Sequence, residues 1–430
     1  MTDKILTARM DAHPLDSHTL DRYLNTGGYE ALRKAIREMT AEQITEEVKA
    51  SNMRGRGGAG FPMGVKWGFL APAEPRYLVV NCDESEPGTF NDRQLAERDP
   101  HQLLEGMIIA SYALGVNHAF VYIRGEYPKV ARRMQSAIDE ARAAGYLGKS
   151  VIGSEFSLDV TVHMGGGAYI CGEETALLNS LEGRRGEPRL KPPFPAVEGL
   201  YAKPTIVNNV ESIANVPWIT TNGGAAYAAI GPERSSGTKM VSISGHINKP
   251  GNYEIVLGMT WREFIYDIAG GIPDGKELKA WIPGGASAPW FVPSEHLDTL
   301  FTIDDVASNG SMLGAGAVIV MDETTNVVAA AHRLVRFFAH ESCGQCTPCR
   351  EGTSWLEAVL KRILDGNGQP SDVDLLLEIS NGISPGLAWP PAMTTICPLG
   401  PSAVSPITSI TRWFMPELEA MIAGSEVAVG

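Results

Sequence analysis

Three cysteines stand at intervals of three residues in the segment ESCGQCTPCREG, which raises the question of what they hold. Cys343, Cys346 and Cys349 occupy positions i, i+3 and i+6. This spacing lets one curled backbone segment point three thiolates at a common centre. A fourth ligand must come from elsewhere. Cys397 is the only other cysteine near this end of the chain, and the proline that follows it resembles the Cys-Pro ending of many cluster motifs.

The spacing of these cysteines favours a 4Fe-4S cluster. Structural zinc sites more often present two separated CxxC or CxxH pairs, although His340 could complete a Cys3His site. Buried thiols without any metal are the third alternative. An iron–sulfur cluster passes one electron at a time, so this interpretation requires a source of electrons elsewhere in the chain or in a partner.

A glycine-rich stretch, RGRGGAGFPMGVKWGF, contains a GxGxxG array formed by Gly55, Gly57 and Gly60. A dinucleotide-binding loop of this pattern should follow a strand and open a helix. Here a charged helical segment precedes the glycines, Pro62 follows them, and no GK[ST] completes a P-loop. Two alternatives remain: a loop whose backbone amides cradle a phosphate, with Lys66 as a point charge, or an ordinary glycine-rich connection.

Acidic and amide side chains follow several strand-like runs. NCDESEPGTFNDR comes directly after YLVV, and VHMGGGAYICGEETALLNSLEG again runs strand, glycines, helix. Open α/β sheets bind ligands at the carboxyl ends of strands, whereas the plainer interpretation is a solvated acidic turn. Glu173 and Glu174 fall near a helix start, where capping is the structural alternative. Cys82 and Cys171 lack ligand spacing and are expected to be small buried side chains.

Alternating strands and helices predict an α/β structure for the first half of the chain. A smaller domain of strands around one helix follows, and Thr260 with Glu263 fits a capping box at the start of that helix. The remainder is helical: SWLEAVLKRIL has an apolar face that includes Trp355, and further helices are expected to begin at Ser371 and Pro406. The expected domains are residues 1–236, 237–324 and 325–430.

Composition excludes several classes of function. The net charge of −14 would repel a phosphate backbone, which sets nucleic acid aside as a partner. The longest apolar runs fall short of the ~20 residues that a spanning helix requires. The first residues lack a secretory apolar core and contain acids that a transit peptide avoids, so a cytoplasmic protein is expected. In that compartment cysteines more often bind metal than form disulfides.

Six stretches follow one another along the chain: RGRGGAGFP, NCDESEPGT, YICGEETALLNSLEG, KPPFPA, PTIVNNVE and ESCGQCTPCREG. Taken together and in this order, they resemble the NADH-binding flavoprotein subunit of bacterial respiratory complex I. The resemblance runs from about Tyr23 to Phe414. It implies an α/β domain that binds FMN and NADH, a ubiquitin-like β-grasp domain, and a C-terminal helical bundle that holds a 4Fe-4S cluster. Met63, Ala202 and Pro398 depart from the commonest threonine, glycine and alanine at their positions, but none removes a ligand.

The resemblance also implies roles for individual residues. The implied FMN contacts are Gly55, Arg56, Gly57, Gly58, Gly60, Lys66, Asn81, Asp83, Glu84, Ser85, Tyr169, Gly172, Glu173, Asn208 and Asn209. The implied NADH contacts are Phe61, Phe69, Glu86, Glu174, Lys191 and Phe194, and the implied cluster ligands are Cys343, Cys346, Cys349 and Cys397. No catalytic side chain is expected, because the cofactors supply the chemistry; Glu86 and Glu174 are expected only to lie nearby.

The implied function is electron input to an NADH:quinone oxidoreductase, since FMN can accept a hydride from NADH and release electrons singly to a cluster. The implied partners are a thioredoxin-like 2Fe-2S subunit, a large multi-cluster iron–sulfur subunit and the rest of complex I, at the cytoplasmic face of the inner membrane. The alternative is a diaphorase subunit of an NAD-linked formate dehydrogenase or hydrogenase. Those chains commonly carry an additional N-terminal thioredoxin-like domain, and only a short segment precedes the resemblance here. A zinc-clamped, non-enzymatic scaffold leaves the glycine loop and the acidic strand ends unused.

Overall fold

A computed structural model of the chain describes residues 4–424, which form two compact units. The first unit holds the residues up to Ser85, Phe90–Val241 and Asn252–Gly258. The second holds Glu86–Thr89, Ser242–Gly251 and the chain from Met259 onward.

The first unit is built on a parallel sheet of four strands. The strands are β1 (Tyr77–Cys82), β2 (His118–Ile123), β3 (Asp159–Met164) and β4 (Thr205–Asn209), in the spatial order β3-β2-β1-β4. The chain moves outward from β1 through β2 to β3 and then returns to the other side of β1. This reversal opens a crevice at the carboxyl ends of β1 and β4, where sheets of this kind bind ligands. The α/β prediction is confirmed.

Helices surround this sheet. Those within the described residues are α1 (Ala8–Ala12), α2 (Leu20–Asn25), α3 (Glu30–Glu38), α4 (Ala41–Ala50), α5 (Met63–Trp67), α6 (Asp92–Arg98), α7 (Pro100–Leu114), α8 (Pro128–Ala143), α9 (Glu174–Leu181), α10 (Val210–Ala214), α11 (Val216–Asn222) and α12 (Gly224–Ala228). α7 is buried on almost every side, as expected for a helix that is apolar all round. The Asp99 side chain accepts the backbone N–H of Gln102 at its start, and Gly115 ends it at φ 66°.

The chain continues into a mixed sheet. Its strands are β5 (Thr238–Gly245), β6 (Gly251–Val256), β7 (Leu278–Ile282) and β8 (Ala317–Asp322), in the order β6-β5-β8-β7, with β5 and β8 parallel and β7 and β8 antiparallel. The Thr260–Glu263 capping box is confirmed, since each side chain accepts the other residue's backbone N–H. The helical segment that it opens, Glu263–Ile268, is a π-helix instead of a regular α-helix.

The rest of the second unit is helical. Its helices are α13 (Pro293–His296), α14 (Ile303–Ser308), α15 (Val327–Glu341), α16 (Thr347–Leu364), α17 (Asp372–Ile383), α18 (Leu399–Trp413) and α19 (Met415–Ile422). Ser371 is the N-cap of α17, as predicted. The predicted start at Pro406 is wrong, because this proline lies inside α18, where buried Val404 and Ile407 pack in the core and offset the lost hydrogen bond. The prediction that Trp355 lies on the buried apolar face of α16 is also wrong, because its side chain is 57% exposed.

The short turn before β4 holds an alanine in an unfavourable conformation, because Ala202 has φ 56°. A β carbon is disfavoured in this left-handed region, and glycine is not. We expect Ala202→Gly to raise the free energy of unfolding by about 1 kcal/mol in urea denaturation. Ala143→Gly, at an exposed helical position with ordinary geometry, is the control and should lower it. A destabilised Ala202→Gly would contradict the argument.

Candidate functional site

The loop after β1 is fixed to the turn that precedes α9. Asn81 donates its side-chain amide to the carbonyl of Gly172 at 2.9 Å, and its side-chain oxygen accepts the N–H of Asp83 at 3.0 Å. Ser85 Oγ donates to the Asp83 carboxylate at 2.9 Å and to the Tyr169 carbonyl at 3.4 Å. The structure therefore brings together five of the predicted FMN contacts at the carboxyl end of β1.

The glycine loop lies against the carboxyl end of β4. A β carbon built on Gly57 would lie 2.9 Å from the β carbon of Asn209, so only glycine fits there without moving β4. Gly58 and Gly60 have φ of 125° and 64°, which favour glycine, and Gly55 N–H closes the loop by donating to the Phe61 carbonyl at 2.9 Å. A loop of bare backbone at the crevice fits a phosphate-bearing group.

Arg56 faces the interior of the first unit. Its side chain is buried and donates to the Ser236 carbonyl at 2.6 Å and to the Tyr227 hydroxyl at 3.2 Å. Its backbone N–H donates to Ser212 Oγ at 2.9 Å. The guanidinium and the backbone N–H of Arg56 therefore anchor the glycine loop to the interior of the first unit.

Two lysines and two glutamates form a balanced charge network beside the start of α9. Lys66 Nζ lies 3.0 Å from the Glu174 carboxylate, and Lys191 Nζ lies 2.8 Å from Glu173 and 3.3 Å from Glu174. Burial alone raises the pKa of Glu174, but the two ammonium groups outweigh burial and hold that pKa below its usual value. The second Glu173 oxygen accepts the N–H groups of Thr175 and Ala176, so this residue is also the cap of α9.

Three phenylalanines of the predicted NADH site present their rings to solvent. Phe61, Phe69 and Phe194 are 47%, 57% and 57% exposed, and the centroids of Phe61 and Phe69 lie 6.1 Å apart. The Ala71 N–H donates to the Ala196 carbonyl at 2.9 Å, which brings the loop of Phe194 beside the segment after Phe69. Exposed aromatic rings near a crevice offer stacking surfaces for flat ligands.

The paired asparagines at the end of β4 are held by their neighbours. Asn208 Oδ1 accepts the indole N–H of Trp67 at 2.9 Å, while Asn209 donates to Asp92 and caps α10. Glu84 is buried and accepts the Asp92 N–H at 2.7 Å and the Arg93 Nε–H at 2.8 Å. The Glu84 side chain therefore caps α6 and is committed to the protein.

A buried charge cluster that the sequence analysis missed lies behind the glycine loop. Lys239 Nζ contacts the Glu211 carboxylate at 2.7 Å and the Arg56 carbonyl at 3.1 Å, and both side chains are almost fully buried. Burial, together with the carboxylates of Glu84 and Glu211, raises the pKa of Asp92 well above its usual value. The sequence contains these charged residues, but Asp92, Glu211 and Lys239 lie too far apart along the chain to form a recognisable motif.

Glu86 belongs to the second unit. Its carboxylate accepts the backbone N–H of Ser287 at 2.6 Å, and a β carbon built on Gly285 would lie 2.5 Å from its side chain. The side chain of this predicted NADH contact is therefore held by the Gly285–Ser287 turn.

The segments that carry the predicted cluster ligands meet at the start of α16. Cys346 is the N-cap of this helix and Cys349 lies buried in its first turn, where burial raises the pKa of the Cys349 thiol. The backbone N–H of Ile396 donates to Cys346 Sγ at 3.3 Å, which brings the segment carrying Cys397 to the first three cysteines. Thr395 Oγ1 donates to the Cys397 carbonyl at 2.8 Å and shapes that segment.

This donor set fits an iron–sulfur cluster better than a zinc ion. Within residues 4–424, no three His, Cys, Asp or Glu side chains converge closely enough to hold one metal ion, and no cysteine is in a disulfide. Zinc requires four donors at about 2.0–2.3 Å from one centre, whereas a cluster spreads its cysteines around several irons. The side chain of His340, the alternative zinc ligand, is 83% exposed, and its Nδ1 lies at hydrogen-bond distance, 3.3 Å, from the Glu341 carboxylate.

None of the helices in the part of the chain that the structure describes is long and apolar enough to cross a membrane.

Three family profiles match the chain. The profile described as Nuo51 FMN-binding domain matches residues 48–218, the SLBB domain profile matches residues 239–320, and the NADH-ubiquinone oxidoreductase-F iron-sulfur binding region matches residues 329–421. The glycine loop and both strand ends of the crevice fall within the first match, and all four cluster cysteines fall within the third.

Solved structures share this architecture. Chains of the NAD⁺-reducing [NiFe]-hydrogenase in its H2-reduced and air-oxidised states align with TM-scores of 0.83 and 0.81, at 33% and 34% identity. The alignments cover 94% of this chain but only 66% and 67% of the hydrogenase chains.

Curated relatives match over almost their whole length. The second F subunit of the Rhizobium meliloti NADH-quinone oxidoreductase is 49% identical over 98% of both chains. The F subunit of the Streptomyces coelicolor enzyme is 52% identical over 95% of this chain and 89% of its own, and that of Rickettsia felis is 47% identical over 99% of both. The chain therefore belongs to the F subunits of NADH-quinone oxidoreductase, oxidoreductases that combine an FMN-binding domain with an iron–sulfur binding region.

Proposed function

We propose that this chain is the electron-input subunit of a respiratory NADH:quinone oxidoreductase, which takes a hydride from NADH at the crevice of the parallel sheet. The observation that supports this most is the convergence of the glycine loop, the Asn81–Ser85 segment and the paired asparagines at the carboxyl ends of β1 and β4. The same chain supplies four cysteines for a cluster, which provides the acceptor of single electrons.

FMN, when bound, supplies the conversion between two-electron hydride chemistry and one-electron transfer. In this proposal the backbone of the glycine loop holds the phosphate, and the polar groups of Asn81, Asp83, Ser85, Asn208 and Asn209 orient the ring system. The protein side chains take no proton in the hydride step; they bind and orient the reactants and exclude water.

The dinucleotide is proposed to stack on the exposed rings of Phe61, Phe69 and Phe194. Lys191 and Glu174 then lie at the polar end of the ligand, where Glu174 accepts a hydrogen bond from the adenosine ribose 2′-hydroxyl. Glu86 is the proposed further polar contact, through the carboxylate that the Ser287 N–H holds in place.

The chain is proposed to divide at 1–236, 237–324 and 325–430 into a flavin domain, a β-grasp domain and a cluster domain. Its proposed partners are a thioredoxin-like 2Fe-2S subunit and a large multi-cluster iron–sulfur subunit within complex I. The proposed location is the cytoplasmic face of the inner membrane, bound peripherally through the complex. The named relatives are subunits of a larger oxidoreductase, which supports assembly into a complex.

A diaphorase role in a hydrogenase is the second candidate, since the hydrogenase chains share the fold with a TM-score of 0.83. The identities favour the quinone oxidoreductase: 49% and 52% to the F subunits against 33% to the hydrogenase chain. Co-purification with quinone-reducing activity, and not with hydrogen- or formate-dependent NAD reduction, would separate the two roles.

The proposed function is tested by an anaerobic NADH titration of the purified chain, recording its visible spectrum and its paramagnetic resonance signal together. We expect a flavin band to bleach and a cluster signal to appear on reduction. A colourless protein that contains zinc would overturn the proposal.

Glu174 offers a test of substrate choice. Replacing it with glutamine leaves the ammonium groups of Lys66 and Lys191 beside the ribose without their shared carboxylate. These cations then attract the extra phosphate of NADPH, and we expect the ratio of kcat/KM for NADH over NADPH to fall about tenfold. Exposed Glu198→Gln is the control. An unchanged ratio in Glu174→Gln would refute this assignment.

A further inference from the structure

A cavity of about 490 Å³ lies inside the second unit, apart from the cluster cysteines. Its walls are the segment from Ser384 to Pro391, helix α18 from Pro401 to Trp413, and the Pro289–Trp290 segment. This volume falls in the range of small-molecule sites, about 300–1,000 Å³. The cavity has no role in the function proposed above.

The charge of this cavity is opposite to that of the whole chain. Its lining contains no aspartate, glutamate or lysine, and Arg412 is its one arginine. Within residues 4–424, no carboxylate lies at ion-pair distance from Arg412; its guanidinium rests over the Trp413 ring at 4.4 Å from the centroid. Arg412 is exposed, so its guanidinium is open to solvent at the edge of the cavity, where it offers the only lysine or arginine side chain of the lining to an anionic ligand.

A buried hydrogen-bond donor in the lining is also unused. Trp290 is 1% exposed, and its indole N–H has no partner among the described residues. Its neighbours do not supply one: Ser405 and Ser409 donate their hydroxyls to backbone carbonyls, at 2.8 Å and 2.6 Å. Because buried donors are normally satisfied, the Trp290 N–H is available to a ligand that presents an acceptor.

Aromatic side chains complete the lining. The indoles of Trp290, Trp389 and Trp413 contribute to the walls, together with the aliphatic side chains of Leu377 and Leu387. Such walls favour a flat apolar body, and the exposed Arg412 guanidinium together with the unpartnered Trp290 N–H favours an anionic group attached to it.

We propose that this cavity is a binding site for a small aromatic carboxylate, with the ring between the tryptophans and the carboxylate held by Arg412. The indole N–H of Trp290 is the additional donor. The first main wall ends at Pro391 and the second begins at Pro401, so the ligand joins the chain segments on either side of Cys397, the fourth predicted cluster ligand. The site does not depend on the proposed flavin chemistry.

The test is equilibrium dialysis of the full-length holoprotein with 2-naphthoate and with its uncharged counterpart, 2-naphthamide. We expect wild-type protein to bind naphthoate more tightly, and Arg412→Met to weaken naphthoate about tenfold while leaving naphthamide unchanged. Arg336→Met, an exposed arginine on α15 outside the cavity, is the matched control. Thr408→Trp, which fills the cavity, should abolish binding of both compounds.

Two outcomes would overturn the proposal. If neither compound binds wild-type protein, the cavity holds only water. If naphthoate binds equally to wild-type, Arg412→Met and Thr408→Trp proteins, it occupies another site. Circular dichroism and the reduced cluster signal of each variant verify that the second unit remains folded, and Arg412→Met tests the proposal independently of the larger substitution.

Discussion

Cys346→Ser is expected to abolish the paramagnetic signal of the reduced cluster while the chain keeps most of its NADH-to-ferricyanide activity. Cys346 begins α16, and its sulfur also accepts the Ile396 N–H, so it joins the two segments that supply the ligands. A serine hydroxyl does not ionise near neutral pH as a thiol does, and iron is left without this ligand. Ferricyanide can take electrons directly from the flavin, which is proposed to lie in the first unit.

The signal is measured by low-temperature paramagnetic resonance after reduction, together with iron content per chain. Cys171→Ser is the control for the signal, because Cys171 is buried in the Tyr169–Gly172 turn of the first unit, far in sequence from the ligands. An unchanged signal in Cys346→Ser would mean that the ligands are misassigned. If the variant loses both the signal and the ferricyanide activity, electrons reach ferricyanide through the cluster and not directly from the flavin.

The positions of the site segments were largely predictable from local patterns. The run YLVV is apolar throughout, as expected of a strand buried on both faces, so the polar residues after it had to lie at the carboxyl edge of the sheet. The helix before the glycine loop and the proline after it correctly indicated that this loop is not a Rossmann loop. The Thr260–Glu263 capping box is equally local, and its structure follows the sequence.

The directions of several side chains were not predictable in this way. Arg56 lies among glycines that line the crevice, yet its guanidinium faces inward to Tyr227 and Ser236, more than 150 positions later in the sequence. Trp355 fits the apolar period of α16 but remains exposed, because the helices packed against α16 cover neighbouring positions instead. Such outcomes depend on which distant segments pack together, and the spacing within one element does not contain that information.

Lys239→Met is expected to destabilise the first unit by about 3–5 kcal/mol and to weaken FMN retention. Lys239 and Glu211 are 2% and 1% exposed and pair at 2.7 Å, so removing the ammonium leaves a buried carboxylate without its counter-charge. The same ammonium donates a hydrogen bond to the carbonyl of Arg56, so the substitution also removes this contact from the glycine loop. Urea unfolding measures the first effect, and flavin released on dialysis measures the second.

Two further variants separate the missing charge from the missing contact. Glu211→Gln added to Lys239→Met removes the buried charge but keeps an acceptor for the Met240 N–H, so it should recover much of the stability. It does not restore the contact to Arg56, and FMN retention should stay weak. Lys361→Met, which breaks an exposed pair with Asp365, should change neither property. If Lys239→Met is as stable as wild type, or if the double variant is less stable than the single one, the buried pair does not support the loop as argued.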